Sequence, residues 1–252
     1  MDHMELAKQK KQLFIRKVNY ELYLEYSKDQ IIDPRKTELD FKYINGEITL
    51  DEAVHIVSQH IVEPPQVIPN TNIAVNHNQL TNAQDFALWE SIIYQRGLSK
   101  ILSTNNFNET YLKSIHKTLF TGAYKDAGQY WNIKFSIEDI NNEVSTSRDL
   151  QTNHFFKTLQ NDAFLQPYQN NKNFCNKLAY YFSELIAMKR FIFGTNGRTN
   201  REFISQLAGF NGYKLDFTLI PQQKYTEIIE SSYSGNNKPL EKMFDFIVSK
   251  LS

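Results

Sequence analysis

Apolar residues recur at helical spacing along most of the chain, and turn residues mark the breaks between runs. Leu13, Ile15, Val18, Leu22 and Tyr26 form an approximate stripe inside the first 62 residues. Asp33-Pro34 interrupts it, and Arg35 to Ile44 resumes it. Asn45-Gly46 reads as a turn. Thr49 with Glu52 three residues on predicts a capping box that opens a helix over Leu50 to Val62. Pro64-Pro65, Pro69 and the polar run Asn70 to Asn72 predict a linker over 63–72. Beyond it, long helical patterns alternate with short loops. One segment differs: Gln129 to Ile137 alternates polar and apolar residues, a period of two that predicts a hairpin strand. Tyr180, Tyr181, Phe182, Phe203 and Phe210 sit at helical spacing and read as core. Tyr225 to Leu251 predicts two amphipathic helices around Ser234-Gly235-Asn236. No tandem repeat is visible.

Composition narrows the class. The chain has 252 residues, 41% hydrophobic and 13% aromatic, enough for one sizeable core and a small appended domain. Basic and acidic residues balance at 28 each, which gives no support for nonspecific nucleic-acid binding or an anionic-membrane patch. No apolar run reaches the roughly 18 residues of a membrane helix. The first residues carry Glu5, Lys8, Lys10 and Lys11 instead of a secretory apolar segment. The single cysteine, Cys175, cannot form an intramolecular disulfide; inside the helical run Phe174 to Leu178 it reads as a small buried residue and not a nucleophile. His55 and His60, five apart, fall on different helical faces and do not suggest a metal site. These features fit the cytoplasm, and the abundance of Asn, Lys, Ile, Phe and Tyr fits an AT-rich genome.

Candidate chemistry concentrates in Lys189 to Arg201. A turn built on Gly194, Asn196 and Gly197 leads into a helical run from Thr199 to Gly209. Backbone N–H groups at such a junction point outward, and the helix dipole adds partial positive charge. Arg198 and Arg201, three apart, share a face of that turn and could clamp a polyphosphate. Gly194, Thr195, Asn196, Gly197, Arg198 and Arg201 are therefore the candidate nucleotide-binding residues. Yet between Leu185 and Arg201 there is no Asp, Glu, His, Cys or Ser, so the loop offers no obvious base, nucleophile or metal ligand. A loop that merely joins two core helices accounts for the same glycines.

Three blocks carry a resemblance to a known family. Tyr180-Tyr181-Phe182-Ser183-Glu184-Leu185 through Asn211-Gly212-Tyr213 resembles the signature region of the Fic family, whose pattern is HxFx(D/E)GNGRxxR followed by a helix. Arg201-Glu202-Phe203-Ile204-Ser205-Gln206-Leu207-Ala208 matches that helix closely. Tyr111 to Phe120, then Tyr124, Ala127 and Gly128, resembles the family's helix and turn before its target-docking flap; His116 falls at a structural position of that helix. Ile68-Pro69-Asn70-Thr71-Asn72 through Ile101-Leu102 resembles the start of the same core. The blocks span roughly residues 66–215, in the family's order and spacing. The resemblance implies a mainly α-helical Fic-type core over 73–252, with a short β-hairpin flap that includes Trp131, Ile133 and Phe135. The activity it implies is transfer of AMP, or a related phosphoryl group, from a nucleotide to a hydroxyl side chain.

The departures from the pattern change that expectation. Aligned from Glu184 and Phe191, the family's His position holds Lys189, the acidic position holds Phe193, and Thr195 is an extra residue in the loop. Aligned from Asn196-Gly197-Arg198, the two positions hold Arg190 and Gly194. In the family the His takes the proton from the target hydroxyl, and the acid holds magnesium at the phosphates. A lysine with an ordinary pKa of about 10.4 is a poor general base near neutral pH. Phenylalanine cannot ligate a hard cation, which wants oxygen. No His follows His154. Thr195 displaces the loop's N–H groups relative to Arg198. The resemblance with these substitutions implies no catalytic residues, no metal, no magnesium, no required cofactor, and ATP binding that is weakened if retained.

The N-terminal region carries its own resemblance. Phe41-Lys42-Tyr43-Ile44-Asn45-Gly46-Glu47-Ile48-Thr49-Leu50-Asp51-Glu52-Ala53 is similar to the tail of the small antitoxins that pair with Fic toxins. Those antitoxins carry (S/T)xxxE(G/N), whose glutamate pairs with the second motif arginine of the toxin and blocks the γ-phosphate position. The nearest segment here is Glu21-Leu22-Tyr23-Leu24-Glu25-Tyr26, which makes Glu25 the candidate inhibitory residue; a solvated helix face explains Glu21 and Glu25 as well. The expected organisation is an antitoxin-like helical unit over 1–62, the linker, and a degenerate Fic domain. The expected function is inhibition, in trans, of an active Fic toxin by obstructing its ATP site. Residual transfer to protein hydroxyls, and a plain interaction scaffold using the flap, stand as alternatives.

Overall fold

The computed structural model describes residues 3–24, 33–60, 83–130, 140–162, 171–188, 191 and 195–251. They fall into two compact units, Met1–Ile101 with His116–Ala127, and Leu102–Ile115 with Gly128–Ser252. The described structure is mainly helical, as the sequence predicts, and holds one small sheet.

The first unit holds α1 (His3–Tyr23), α2 (Pro34–Asn45), α3 (Leu50–His60), α4 (Ala83–Ser99) and the last residues of α5 (Glu109–Phe120). Ile15, Val18 and Leu22 of the α1 stripe are buried. Leu13 is 63% exposed and leaves the stripe, while Lys11 and Phe14 on either side of it contact Tyr43 of α2. Asp33 caps α2 by accepting the Arg35 backbone N–H at 2.9 Å, and Pro34 occupies the first turn, where its missing donor costs nothing. Gly46 ends α2 at φ 79°, a left-handed conformation that glycine adopts without strain. The capping box at α3 forms both ways: Glu52 accepts from the Thr49 N–H at 2.6 Å, and Thr49 Oγ1 accepts from the Glu52 N–H at 3.2 Å. Two ion pairs tie these helices to α4, Arg35 to Asp85 at its start and Lys100 to Asp51 just beyond its end. Inside the unit, Tyr124 donates to the buried Glu90 carboxylate at 2.6 Å, and Trp89 donates to the Gly122 carbonyl. His116 is buried with its ring centroid 5.0 Å from that of Phe120, a packing role.

The second unit is built on α6 (Ile140–Asn161), α7 (Asn171–Met188), α8 (Asn196–Phe210), α9 (Gln222–Tyr233) and α10 (Lys238–Ile247). Tyr181, Phe182 and Phe203 are fully buried, as expected of core residues. Tyr180 and Phe210 are 40% and 42% exposed, so they edge the core instead of filling it. Phe107 sits edge-on to Phe203, and Phe182 packs against Phe217 and Phe244. Cys175 is buried in α7, where burial, with the nearby Asp245, pushes its thiol up to about 12. A thiol that resists ionisation is no nucleophile.

The sheet is not where the sequence places a strand. β1 (Tyr213–Leu215) pairs antiparallel with β2 (Val248–Lys250), with Tyr213 opposite Lys250 and Leu215 opposite Val248. The last residues of the expected second amphipathic helix therefore leave the helix after Ile247. The partner strand lies far back in sequence, and no local pattern announces such a pairing. Of the expected hairpin, Gln129 and Tyr130 are described and are not strand; Trp131, Ile133 and Phe135 lie outside the described residues, as do the 63–72 linker and Glu25.

Candidate functional site: the start of α8

The site is the first turn of α8 and the residue before it. Lys189, Arg190, Phe193 and Gly194 lie outside the described residues; Phe191 and Thr195 onward are described. The sequence predicts a turn over 194–197 with a helix from Thr199. The helix instead begins at Asn196, so Asn196 and Gly197 form its first turn. Thr195 is the N-cap residue but makes no side-chain cap, and it is buried; its carbonyl accepts from the Thr199 N–H and hydroxyl.

Asn196 explains the early start. Its Oδ1 accepts the Phe191 N–H at 2.8 Å and its Nδ2 donates to the Phe191 carbonyl at 2.8 Å. One side-chain amide thus imitates a strand neighbour for Phe191 and closes the loop. The Phe191 ring packs against Tyr130, centroids 5.2 Å apart, and Lys113 Nζ lies 4.1 Å over the other ring's centroid, that of Tyr130. The base of the expected flap therefore touches the signature loop through Tyr130.

Arg198 and Arg201 share the inward side of α8, at 1% and 2% exposure. Arg198 Nε and Nη1 are shielded from solvent, and Arg201 Nη1 donates to the Tyr225 hydroxyl at 3.0 Å. The Arg201 guanidinium carbon also lies 5.3 Å from the Tyr225 ring centroid, within cation–π range. Asn200 donates to the Leu185 carbonyl at 3.0 Å and so holds α8 to the end of α7. The first carboxylate beyond the loop is Glu202, which accepts from Gln206 at 2.7 Å. Burial, aided by Glu202, pushes the Tyr111 hydroxyl up to about 12, and that hydroxyl donates to the Leu102 carbonyl. Among the described residues no group of three or more His, Cys, Asp or Glu could hold a metal ion, and no helix is long and apolar enough to cross a membrane.

Sequence reasoning missed Tyr225 and the Asn196–Phe191 pairing. Tyr225 is 24 residues from Arg201 and carries no local motif. The asparagine is visible in the sequence, but its partner is backbone.

Relatives decide the family. The chain is 30% identical over 179 residues to the protein adenylyltransferase VbhT of Bartonella schoenbuchensis, covering 69% of this chain and 36% of that one. It is 22% identical over 185 residues to the probable protein adenylyltransferase y4lH of Sinorhizobium fredii, covering 73% of this chain and 96% of that one. The chain belongs to the Fic family. The Fic fold is confirmed by the crystal structure of BepC from Bartonella tribocorum with bound AMPPNP, which matches with a TM-score of 0.63 at 21% identity over 74% of this chain and 97% of that one. No family model matches the chain. The chain spans about a third of VbhT, so it corresponds to one part of that Fic protein.

Proposed function

We propose that this chain is a catalytically inactive Fic protein that inhibits an active Fic adenylyltransferase in trans. The observation that carries the reading is the stretch from Leu185 to Arg201, which contains no Asp, Glu, His, Cys or Ser. Deprotonating a target hydroxyl needs a base with a pKa near the working pH, and anchoring magnesium at phosphates needs oxygen ligands. The carboxylates that flank this stretch in sequence are those of Glu184 and Glu202, and the latter accepts from Gln206. The buried setting of Arg198 and Arg201 further supports a core that does not process nucleotide. In this reading residues 1–62 form the inhibitory region and 73–252 the degenerate Fic domain. Within the first unit, the Arg35–Asp85 and Lys100–Asp51 pairs tie α2 and α3 to α4. Glu25 reaches the second motif arginine of the partner, where a charge-assisted pair in a closed cleft outweighs a surface pair. The protein works in the cytoplasm and needs no cofactor of its own.

The test is co-purification from the source cell, followed by AMP transfer from labelled ATP by the captured partner. The expected result is an active Fic protein whose transfer falls when this chain is added and recovers with Glu25→Gly. Transfer by this chain alone, abolished by altering 189–193, overturns the reading. That outcome belongs to a second reading, residual AMP or phosphoryl transfer, which the kinship with adenylyltransferases and the retained Arg198 and Arg201 favour.

A further inference from the structure

Arg201 lies at the start of a helix whose dipole favours anions, yet its guanidinium is not offered to solvent. Tyr225 contributes both a hydroxyl acceptor, at 3.0 Å from Nη1, and an aromatic face within 5.3 Å of the guanidinium carbon. The tyrosine is itself held in place. It is buried in the first turn of α9, its N–H donates to the Pro221 carbonyl at 2.9 Å, and its ring packs edge-on to Phe217. Phe217 in turn packs against Phe182 and Phe244, so the ring is anchored in the aromatic core of this unit. A guanidinium of this kind is planar, with donors fixed in direction. A phosphate group that engages Arg201 through Nη1 must therefore displace the Tyr225 hydroxyl, an acceptor held by the packing of its ring in a setting shielded from water.

We propose that Tyr225 is a built-in stopper for Arg201, closing it to the phosphate groups of a nucleotide by an intramolecular contact. This rests on the reading of the α8 site as one that does not process nucleotide, and it names one residue that keeps it so. The loss of catalytic groups lies in the loop; the stopper lies in α9 and acts on binding. The two defects are separate, so removing the stopper restores affinity and no chemistry.

The experiment is calorimetric titration with ATP, with and without magnesium, of the full chain, Tyr225→Phe, and Tyr225→Phe/Arg201→Ala. The first substitution deletes one oxygen and keeps the ring. Should it fold poorly by thermal melting, Tyr225→Met repeats the test without the hydroxyl. Tyr225→Phe is expected to bind ATP about tenfold tighter than the unaltered chain, the scale of one hydrogen bond to a charged group. The double variant should lose that gain. Equal or weaker binding in Tyr225→Phe, no binding in either protein, or a gain that survives Arg201→Ala overturns the proposal. AMP transfer by the unaltered chain would sink the pseudoenzyme reading whatever Tyr225 does, so the two failures are distinguishable.

Discussion

Asn196 and Phe191 exchange two hydrogen bonds, side-chain amide to backbone, each 2.8 Å long. This pairing closes the signature loop onto the start of α8 and satisfies a backbone donor and acceptor that lie beside a buried ring. Asn196→Ala leaves both backbone groups without that partner, and each buried loss costs about 1–3 kcal/mol. Asn196→Asp keeps the acceptor and loses the donor. The expected order of stability in urea unfolding is Asn, then Asp, then Ala. An alanine variant as stable as the parent would mean that the pairing carries no energy.

Gly97 is a second point where one atom decides the outcome. A Cβ built there would lie 2.4 Å from the Thr118 carbonyl oxygen and 2.6 Å from Leu119 Cα, where α4 crosses the end of α5. Helix propensity alone would make Gly97→Ala stabilising by about 1 kcal/mol. Backbone atoms cannot step aside as a flexible side chain does, so the clash wins and the expected net loss is about 1–3 kcal/mol. The denaturant midpoint checks the sign, and a rise would show that the two helices separate at little cost.

The sequence was most legible where the determinant is local. The Thr49–Glu52 box, the Asp33-Pro34 start and the Gly46 stop each follow from residues within one turn, and each forms. The signature helix was legible through its resemblance. What escaped notice depends on partners distant in sequence: β2 on β1, Tyr225 on Arg201, and the exposure of Leu13. The start of α8 was displaced because an asparagine expected in a turn spends its amide on Phe191.

Cys175 supplies a test of core integrity. Its thiol, pushed up to about 12 by burial, stays protonated at pH 8 in the folded chain, whereas an unfolded cysteine ionises near its ordinary value of 9.0. Between those values the unfolded state holds fewer protons, so this group's contribution lowers stability as pH rises from 9 towards 12. At pH 8 a thiol reagent should therefore react only through opening of α7, and denaturant should raise the rate by orders of magnitude. Rapid native-state labelling would show that the site is open.

The Lys36–Asp40 pair makes the strongest electrostatic prediction. Both side chains are buried within α2; Lys36 Nζ donates to Asp40 at 2.6 Å and to Asn19 of α1 at 2.7 Å. Asp40 Oδ1 is buried without a hydrogen-bond partner, so the pair is imperfectly compensated. Lys36→Met would strand the carboxylate and should cost about 3–5 kcal/mol, whereas Lys36→Met/Asp40→Leu removes both charges and should return to the parent's stability or exceed it. The pH dependence has a definite sign. Burial holds the Lys36 pKa below its ordinary 10.5, with Asp40 opposing, so just below pH 10.5 the unfolded chain binds more protons than the folded one. This group's contribution to stability therefore rises with pH in that window, and Lys36→Met should flatten the rise. A double variant as unstable as the single one would show that the pair is net stabilising, in contradiction to the incomplete pairing of Asp40.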